Sequence, residues 1–248
     1  MKKFQDNWFK EWFDSKHYHI LYSHRDFSEA ENFINSLFAA LDLNKQSKVL
    51  DLACGKGRHA IQVHELGFQV TGIDLSPESI RHAKQFEEKG LKFEIGDMRK
   101  LQINNQFDLV LNLFTSFGYF QDDNEDQAAM NSMADSLVDG GLLVIDYLNS
   151  HYVESNLPTE ESQQKKGIVF QIKKYIEDSF IVKDIRFEDQ GTEMHFQEFV
   201  KRINFKQFKS YLEQAGLKIV NTFGNYQLDS FNEENSERLI IVAQKCKR

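Results

Sequence analysis

The stretch Val49-Leu-Asp-Leu-Ala-Cys-Gly-Lys-Gly-Arg-His-Ala60 decides how this chain is read. An apolar run reaches an acidic residue, Asp51, and a turn of small residues follows at once and opens a helical pattern. Small residues let a backbone approach a ligand closely, and glycine also tolerates the positive φ that a tight strand-to-helix turn often needs. Asp51 stands at the carboxyl end of the strand, the end at which open α/β sheets bind their ligands. A second hydrophobic strand, Phe68-Gln-Val-Thr-Gly-Ile-Asp74, also ends in an acid. A carboxylate there is placed to take the two hydroxyls of a ribose. Together the two stretches predict a nucleoside-cofactor site.

Two cofactor classes compete for it. Gly55-x-Gly57-x-x-Ala60 fits the relaxed dinucleotide fingerprint, in which a pyrophosphate rests on a helix N-terminus. Asp51 argues against that class, because a carboxylate immediately before the turn repels a pyrophosphate. The same carboxylate suits a ligand with an ammonium group, such as the amino-acid end of S-adenosylmethionine. A third strand, Leu91-Lys-Phe-Glu-Ile95, runs into Gly96-Asp97-Met98. There an acid and its neighbour can take the exocyclic amine and an edge of an adenine.

At these positions the sequence resembles the class I S-adenosylmethionine-dependent methyltransferases. Asp51-x-Ala53-x-Gly55-x-Gly57 is similar to their first motif, with Ala53 in place of the first glycine. Asp74 resembles their ribose-binding acid and Asp97-Met98 their adenine-binding pair. Phe107 to Phe120 resembles the fourth strand and the loop facing the methyl group. Gly96-Asp-Met-Arg99 and Leu113-Phe-Thr-Ser-Phe-Gly-Tyr-Phe120 are similar to enzymes that N-methylate amino sugars and other small amines. The resemblance implies a doubly wound α/β fold with a seven-stranded, mostly parallel sheet whose last strand is antiparallel. It implies S-adenosylmethionine as cofactor, with contacts at Asp51, Ala53, Cys54, Gly55, Gly57, Asp74, Leu75, Asp97 and Met98. Asn112 and Phe114 join them because they lie just past a strand end that faces the ligand crevice.

Composition agrees with an enzyme acting on small molecules. The 248 residues are enough to bury one full core with an embellishment. Thirty Lys and Arg against 38 Asp and Glu give a formal charge of −8. That balance disfavours wide nucleic-acid contact, which rests on clustered basic residues. The N-terminus has lysines but no apolar run of the secretory kind, and no stretch approaches the ~20 apolar residues that span a bilayer. Cys54 and Cys246, the two cysteines, offer neither a metal-ligand cluster nor a disulfide framework. A cytoplasmic protein without a structural metal is expected.

Strand and helix signals alternate as in a doubly wound domain. Strands are expected near 48–53, 68–74, 91–96, 107–113 and 141–148, with two last strands over 217–223 and 238–244. Ser76-Pro77 reads as a helix start, Gly140-Gly141 as the end of a helix over about 124–138, and Asn204 as the cap of a helix running to Ala215-Gly216. Residues 1–44 hold an aromatic stripe, Phe4, Trp8, Phe9, Trp12 and Phe13. It reads as a helix packed on the core or on a partner subunit, or as a helical lid that brings Tyr22 and Arg25 to the cofactor. Within 165–203 three alternating runs predict an antiparallel β-meander, part of an insertion over about 152–203. The meander is expected to roof the site, to form a homodimer interface with or without the N-terminal helices, or both.

Methyl transfer needs little covalent help, because a sulfonium is already a strong electrophile. Holding nucleophile, methyl carbon and sulfur in line supplies ~7–11 kcal/mol in favourable cases. A base is needed only if the acceptor arrives protonated. The candidates are His24, Tyr119, His151 and His195, with Tyr119 best placed in the loop after the fourth strand. Cys54 reads as a close-packed spacer rather than a nucleophile. The chain therefore reads as a methyltransferase acting on a nitrogen or oxygen of a small-molecule acceptor. The alternatives are a dinucleotide-dependent oxidoreductase and a non-catalytic nucleoside-cofactor-binding protein.

Overall fold

A computed structural model describes residues 8–23 and 27–247. Seven strands form the main sheet: β1 (Lys48–Leu52), β2 (Gln69–Asp74), β3 (Leu91–Ile95), β4 (Phe107–Asn112), β5 (Leu137–Leu148), β10 (Leu217–Phe223) and β11 (Arg238–Lys245). Their order is β10-β11-β5-β4-β1-β2-β3. The first five run parallel, and β11 is antiparallel to both of its neighbours. The doubly wound sheet and its antiparallel last strand are as the sequence implied. Strand order reverses between β1 and β4, and ligands of such sheets bind at that switch point.

The strands are apolar on both faces because both are covered. Alternate residues divide along β1: Val49 packs with Phe33, Ile34, Leu37, Val63 and Phe93 on one side. Leu50 and Leu52 pack with Met130, Met133 and Phe208 on the other. The first side is covered by α3 (Phe27–Leu41), α4 (Arg58–Glu65) and α5 (Pro77–Ala83), the second by α6 (Asp123–Ser136) and α8 (Phe205–Gln214). Sequence caps act where expected. The Ser76 hydroxyl accepts the Ser79 amide at 3.0 Å, and Asn204 and Gln207 form a reciprocal capping box. Such caps contribute about 1 kcal/mol each.

The expected end of the helix over 124–138 needs correction. The helix α6 stops at Ser136, because Leu137 is wholly buried and pairs with Phe107. Gly140, at φ 80°, then lies inside β5 at a register shift between the two strands. A short helix, α7 (Ser150–Ser155), leads from β5 into the insertion. The insertion carries an unexpected strand, β6 (Thr159–Lys165), ahead of the three expected within 165–203, β7 (Ile168–Glu177), β8 (Phe180–Asp189) and β9 (Thr192–Lys201). The strand β6, Thr-Glu-Glu-Ser-Gln-Gln-Lys, has no apolar residue to betray it. Its hairpin turns at Lys166-Gly167 and the last one at Gln190-Gly191, both residues of each pair at positive φ, as type I′ hairpin turns require.

The N-terminal segment also splits in two. Helices α1 (Trp8–Phe13) and α2 (Lys16–Leu21) pack on the inserted sheet, Trp12 against Phe196 with ring centres 4.6 Å apart and Trp8 against Phe199 at 5.8 Å. Helix α3 instead covers the opposite face, Phe38 meeting Phe68 at 5.0 Å. Its apolar stripe is wide enough to belong to the core, so only α1 and α2 stand over the strand ends. Phe4 lies outside the described residues.

Candidate functional site

After β1 the chain turns through Ala53, Gly55 and Gly57 at φ 63°, 55° and 86°. A Cβ at Gly55 would meet nothing within 4 Å, whereas one at Gly57 would lie 2.7 Å from the Phe93 ring. Gly57 is therefore a packing glycine at the start of α4, and Gly55 presents bare backbone to open space. The Gly55 amide donates to Asp74 Oδ2 at 2.7 Å and the Ser76 amide to Asp74 Oδ1 at 2.8 Å. Burial pushes the Asp74 carboxyl up, while these amides pull it down. Asp51 is buried on the adjacent strand, and its Oδ2 has no partner among the described residues. Burial, reinforced by the Asp74 charge, raises Asp51 from 3.8 to about 7.

Leu75, Asp97 and Met98 line the same hollow. Asp97 accepts from the Arg99 amide at 3.0 Å and from its guanidinium at 2.9 Å, and Arg99 also reaches Glu125. Burial raises the Asp97 carboxyl, but the Arg99 contacts outweigh it and leave the group below the ordinary carboxylate range. This holds Asp97 ionised. Sequence reading missed Arg99 as its anchor, although it closes the quoted Gly96–Arg99 motif. Cys54 also lines the hollow, yet its Sγ would lie 2.9 Å from a Cβ on Gly72. Burial first, then Asp51 and Asp74, push its thiol far above the usual range. Such a thiol is a spacer, not a nucleophile.

Past β4, Asn112 departs from expectation. Its side chain is wholly buried, donates to the Leu52 carbonyl at 3.1 Å and does not reach the cavity, whose wall there is Leu113 and Phe114. Asn112 thus ties β4 to β1 from behind. Phe114 and Thr115 are both at positive φ, 57° and 59°, a strained pair of the kind found at ligand clamps. Buried Asp146 holds them: its carboxylate accepts the Phe114 amide at 2.8 Å and Arg238 Nε at 2.8 Å, and Arg238 reaches Thr115 Oγ1 at 3.0 Å. The Phe114 ring lies between the Arg58 guanidinium, 4.4 Å from its centre, and Tyr226 at 5.2 Å. None of Asp146, Tyr226 and Arg238 was foreseen; they come from distant segments.

Over these strand ends lies a cavity of about 810 Å³. The floor is the acid-turn-acid array, the sides are Phe114, Tyr119 and Phe120, and the cover is Trp8, Phe9, Phe13, Tyr18, His19 and Tyr22 from α1 and α2. Tyr119 sits with ring centres 5.6 Å from Trp8 and 5.3 Å from Phe13, and its hydroxyl donates to the Thr115 carbonyl. Tyr22 lies against the inserted sheet, its hydroxyl donating to Glu198. That places Tyr22 on the cover, across from the floor where cofactor contact was expected. Arg25 and His24 lie outside the described residues. His151 and His195 are exposed and away from the cavity. His19 lines it instead; burial, then the Lys56 ammonium, lower it to about 4, and its Nε2 has no partner among the described residues.

Fold and site together define a class I methyltransferase. A methyltransferase-domain family model matches residues 43–223, and the chain belongs to that family. It is similar to a glycine/sarcosine N-methyltransferase of Aphanothece halophytica, 26% identical with 89% of this chain and 83% of the other covered. A solved S-adenosylmethionine-dependent methyltransferase of Clostridium acetobutylicum superposes with TM-score 0.78 over 92% of this chain and 96% of its own, at 19% identity. The S-adenosylmethionine-bound amino pentose methyltransferase CalS10 of Micromonospora echinaspora superposes with TM-score 0.71 at 20% identity, covering 93% and 97%. The chain is thus a methyltransferase, and the oxidoreductase alternative is not favoured.

Proposed function

We propose that the cavity floor binds S-adenosylmethionine and that the space beneath α1 and α2 receives a small amine for N-methylation. The observation that carries this reading is Asp51, a buried carboxylate with an unpartnered oxygen beside a second, half-buried acid, Asp74. Two such groups call for a cationic ligand with hydroxyls, and an amino-acid ammonium beside a ribose supplies both. In this reading Asp51 faces the ammonium and the Ala53-Cys54-Gly55 part of the turn gives close backbone approach, while Gly57, expected as a cofactor contact, packs against Phe93 behind it and does not line the cavity. Asp74 with Leu75 takes the ribose, and Asp97 with Met98 takes the adenine. Phe114 flanks the methionine moiety.

When bound, the cofactor supplies an electrophilic methyl carbon. The chain's own part is to orient and to exclude water. Phe114 and Thr115, clamped by Asp146 and Arg238, fix the rim of the site. Trp8, Phe9, Phe13 and Tyr119 make a dry wall whose π faces attract a cationic amine by ~0.5–2 kcal/mol per ring. The Tyr119 hydroxyl bonds backbone, so its contribution is to shape the wall. Nitrogen is favoured over oxygen by this aromatic wall and by the N-methyltransferase relative. A cytoplasmic location and a homodimer through the inserted sheet or the N-terminal helices belong to the same proposal, and sedimentation tests the latter.

Calorimetry with S-adenosylhomocysteine tests the floor. Asp74→Ala removes the acceptor for the Gly55 and Ser76 amides as well as two ribose contacts, at ~1.5–3 kcal/mol for each charged hydrogen bond. Affinity is expected to fall at least a hundredfold in a protein that still folds. Wild-type affinity in that variant would sink the ribose assignment.

A further inference from the structure

Among the described residues, four acidic side chains line the cavity: Asp51, Asp74, Asp97 and Glu198. The first three stand at strand ends on the floor. Glu198 stands alone on the opposite side, in β9, where the inserted sheet faces α1 and α2. Its Oε1 accepts from Trp12 Nε1 at 2.6 Å and from the Tyr22 hydroxyl at 2.7 Å, and Oε2 lies 2.9 Å from that same hydroxyl. A carboxylate offers about four lone-pair sites, so these donors fix Glu198 in place and leave acceptor capacity on Oε2. A row of rings connects it with the loop after β4. Tyr119 meets Phe13 at 5.3 Å, Phe13 meets Tyr18 at 5.0 Å and Tyr18 meets Tyr22 at 4.8 Å.

Resting on the methyl-transfer reading above, we propose that Glu198 is the carboxylate that receives the amine of the acceptor. An aromatic wall ending in a fixed carboxylate is an ammonium site, attraction by the ring faces adding to the ion pair. Three lysines of the inserted sheet, Lys166, Lys174 and Lys183, line the roof. Lys174 pairs with Glu161 at 3.1 Å, whereas Lys183, opposite Glu198 on β8, donates to the same Tyr22 hydroxyl at 2.6 Å and lies 4.5 Å from that ring's centre, so it is the cation of this chain with which an acceptor amine competes. An ammonium has no lone pair, so it must lose a proton before it attacks. The N–H proton passes to the Glu198 carboxylate and the bond pair stays on nitrogen. That pair forms the bond to the methyl carbon while the carbon–sulfur bond breaks toward sulfur. Release of the proton from Glu198 to water completes the turnover.

The test uses the two tryptophans of the chain, Trp8 and Trp12, as reporters, since both stand at the amine site. Propylammonium and propionate are titrated separately into the full chain by intrinsic fluorescence, with and without saturating S-adenosylhomocysteine. Wild type is expected to bind propylammonium in preference to propionate, and Glu198→Gln to bind it at least tenfold more weakly. The amide oxygen of Gln keeps the Trp12 and Tyr22 bonds, so the variant's melting temperature is expected to stay close to wild type. Glu198→Asp retains the charge and recovers part of the affinity even if Glu198→Gln folds poorly. Undetectable propylammonium binding by wild type, equal binding by Glu198→Gln, or preference for propionate overturns the proposal, the last assigning the roof to its lysines. Failure of S-adenosylhomocysteine to bind strikes the floor reading alone, because the Glu198 dependence is read without it as well.

Discussion

Replacing Asp51 by asparagine is expected to stabilise the ligand-free protein and to weaken cofactor binding, each in a defined pH window. Burial and the Asp74 charge raise Asp51 from 3.8 to about 7. At 1.36 kcal/mol per pH unit, that is about 4 kcal/mol against the charged form in the empty site. The folded-state value is the higher one, so the folded protein holds this proton where the unfolded chain has lost it. Stability therefore falls as pH rises from 3.8 to about 7, and the penalty is complete above that. The asparagine side chain carries no charge and escapes it. Melting curves of the two proteins should coincide near pH 4 and diverge toward pH 8, the variant higher by on the order of 10 °C at 2–4 °C per kcal/mol. Binding runs the other way. An ammonium beside Asp51 draws its proton off, so wild-type affinity for S-adenosylhomocysteine falls about tenfold per unit below pH 7, while Asp51→Asn binds weakly with no break near 7. Scanning calorimetry across pH, with titration calorimetry in two buffers of different ionisation enthalpy, reads both effects. Parallel melting profiles at every pH, or an unchanged pH slope of affinity in the variant, would refute the reasoning.

Gly55→Val places a branched side chain at φ 55° in the open floor; binding of S-adenosylhomocysteine is lost, and a left-handed backbone costs about 1–2 kcal/mol of stability in a thermal melt. Asp97 should make binding selective for adenine, so replacing the cofactor by its inosine analogue weakens wild type strongly and Asp97→Ala much less. Equal discrimination in both would move the adenine contact elsewhere, for instance to a backbone amide near Met98. Tyr119→Phe frees the Thr115 carbonyl beside the strained Phe114-Thr115 pair. Turnover of an identified acceptor should fall more than affinity for S-adenosylhomocysteine, and the reverse ranking contradicts the assignment of Tyr119 to the acceptor side.

What sequence revealed and what it concealed divide along contact range. The floor is written in short stretches: β1, its turn and β2 lie within residues 48–74, and their acids sit where any parallel strand must end. Asn112 shows the limit even there, since a strand end is legible but the direction of one side chain depends on packing behind it. Arg99 was missed although only two residues from Asp97, because its partner Glu125 lies a loop away. The cover is assembled from remote pieces. Trp12 bonds Glu198 across 186 residues, and Arg238 bonds Asp146 across 92; no local period encodes either pair. The polar strand β6 belongs to that same hidden half.

Specificity follows the same division. The proposed cofactor contacts stand on rigid strand ends, and their geometry follows from a sheet topology that very different sequences can build. Glu198, Tyr22 and Trp12 depend instead on α1, α2 and the inserted sheet keeping one mutual register. A bulky change at Phe196, whose ring is 4.6 Å from Trp12, therefore moves the acceptor side without touching the floor. Related chains that preserve Asp51, Asp74 and Asp97 can thus differ wholly in acceptor. The residues to compare when asking what this enzyme methylates are those of the cover, above all the position of Glu198.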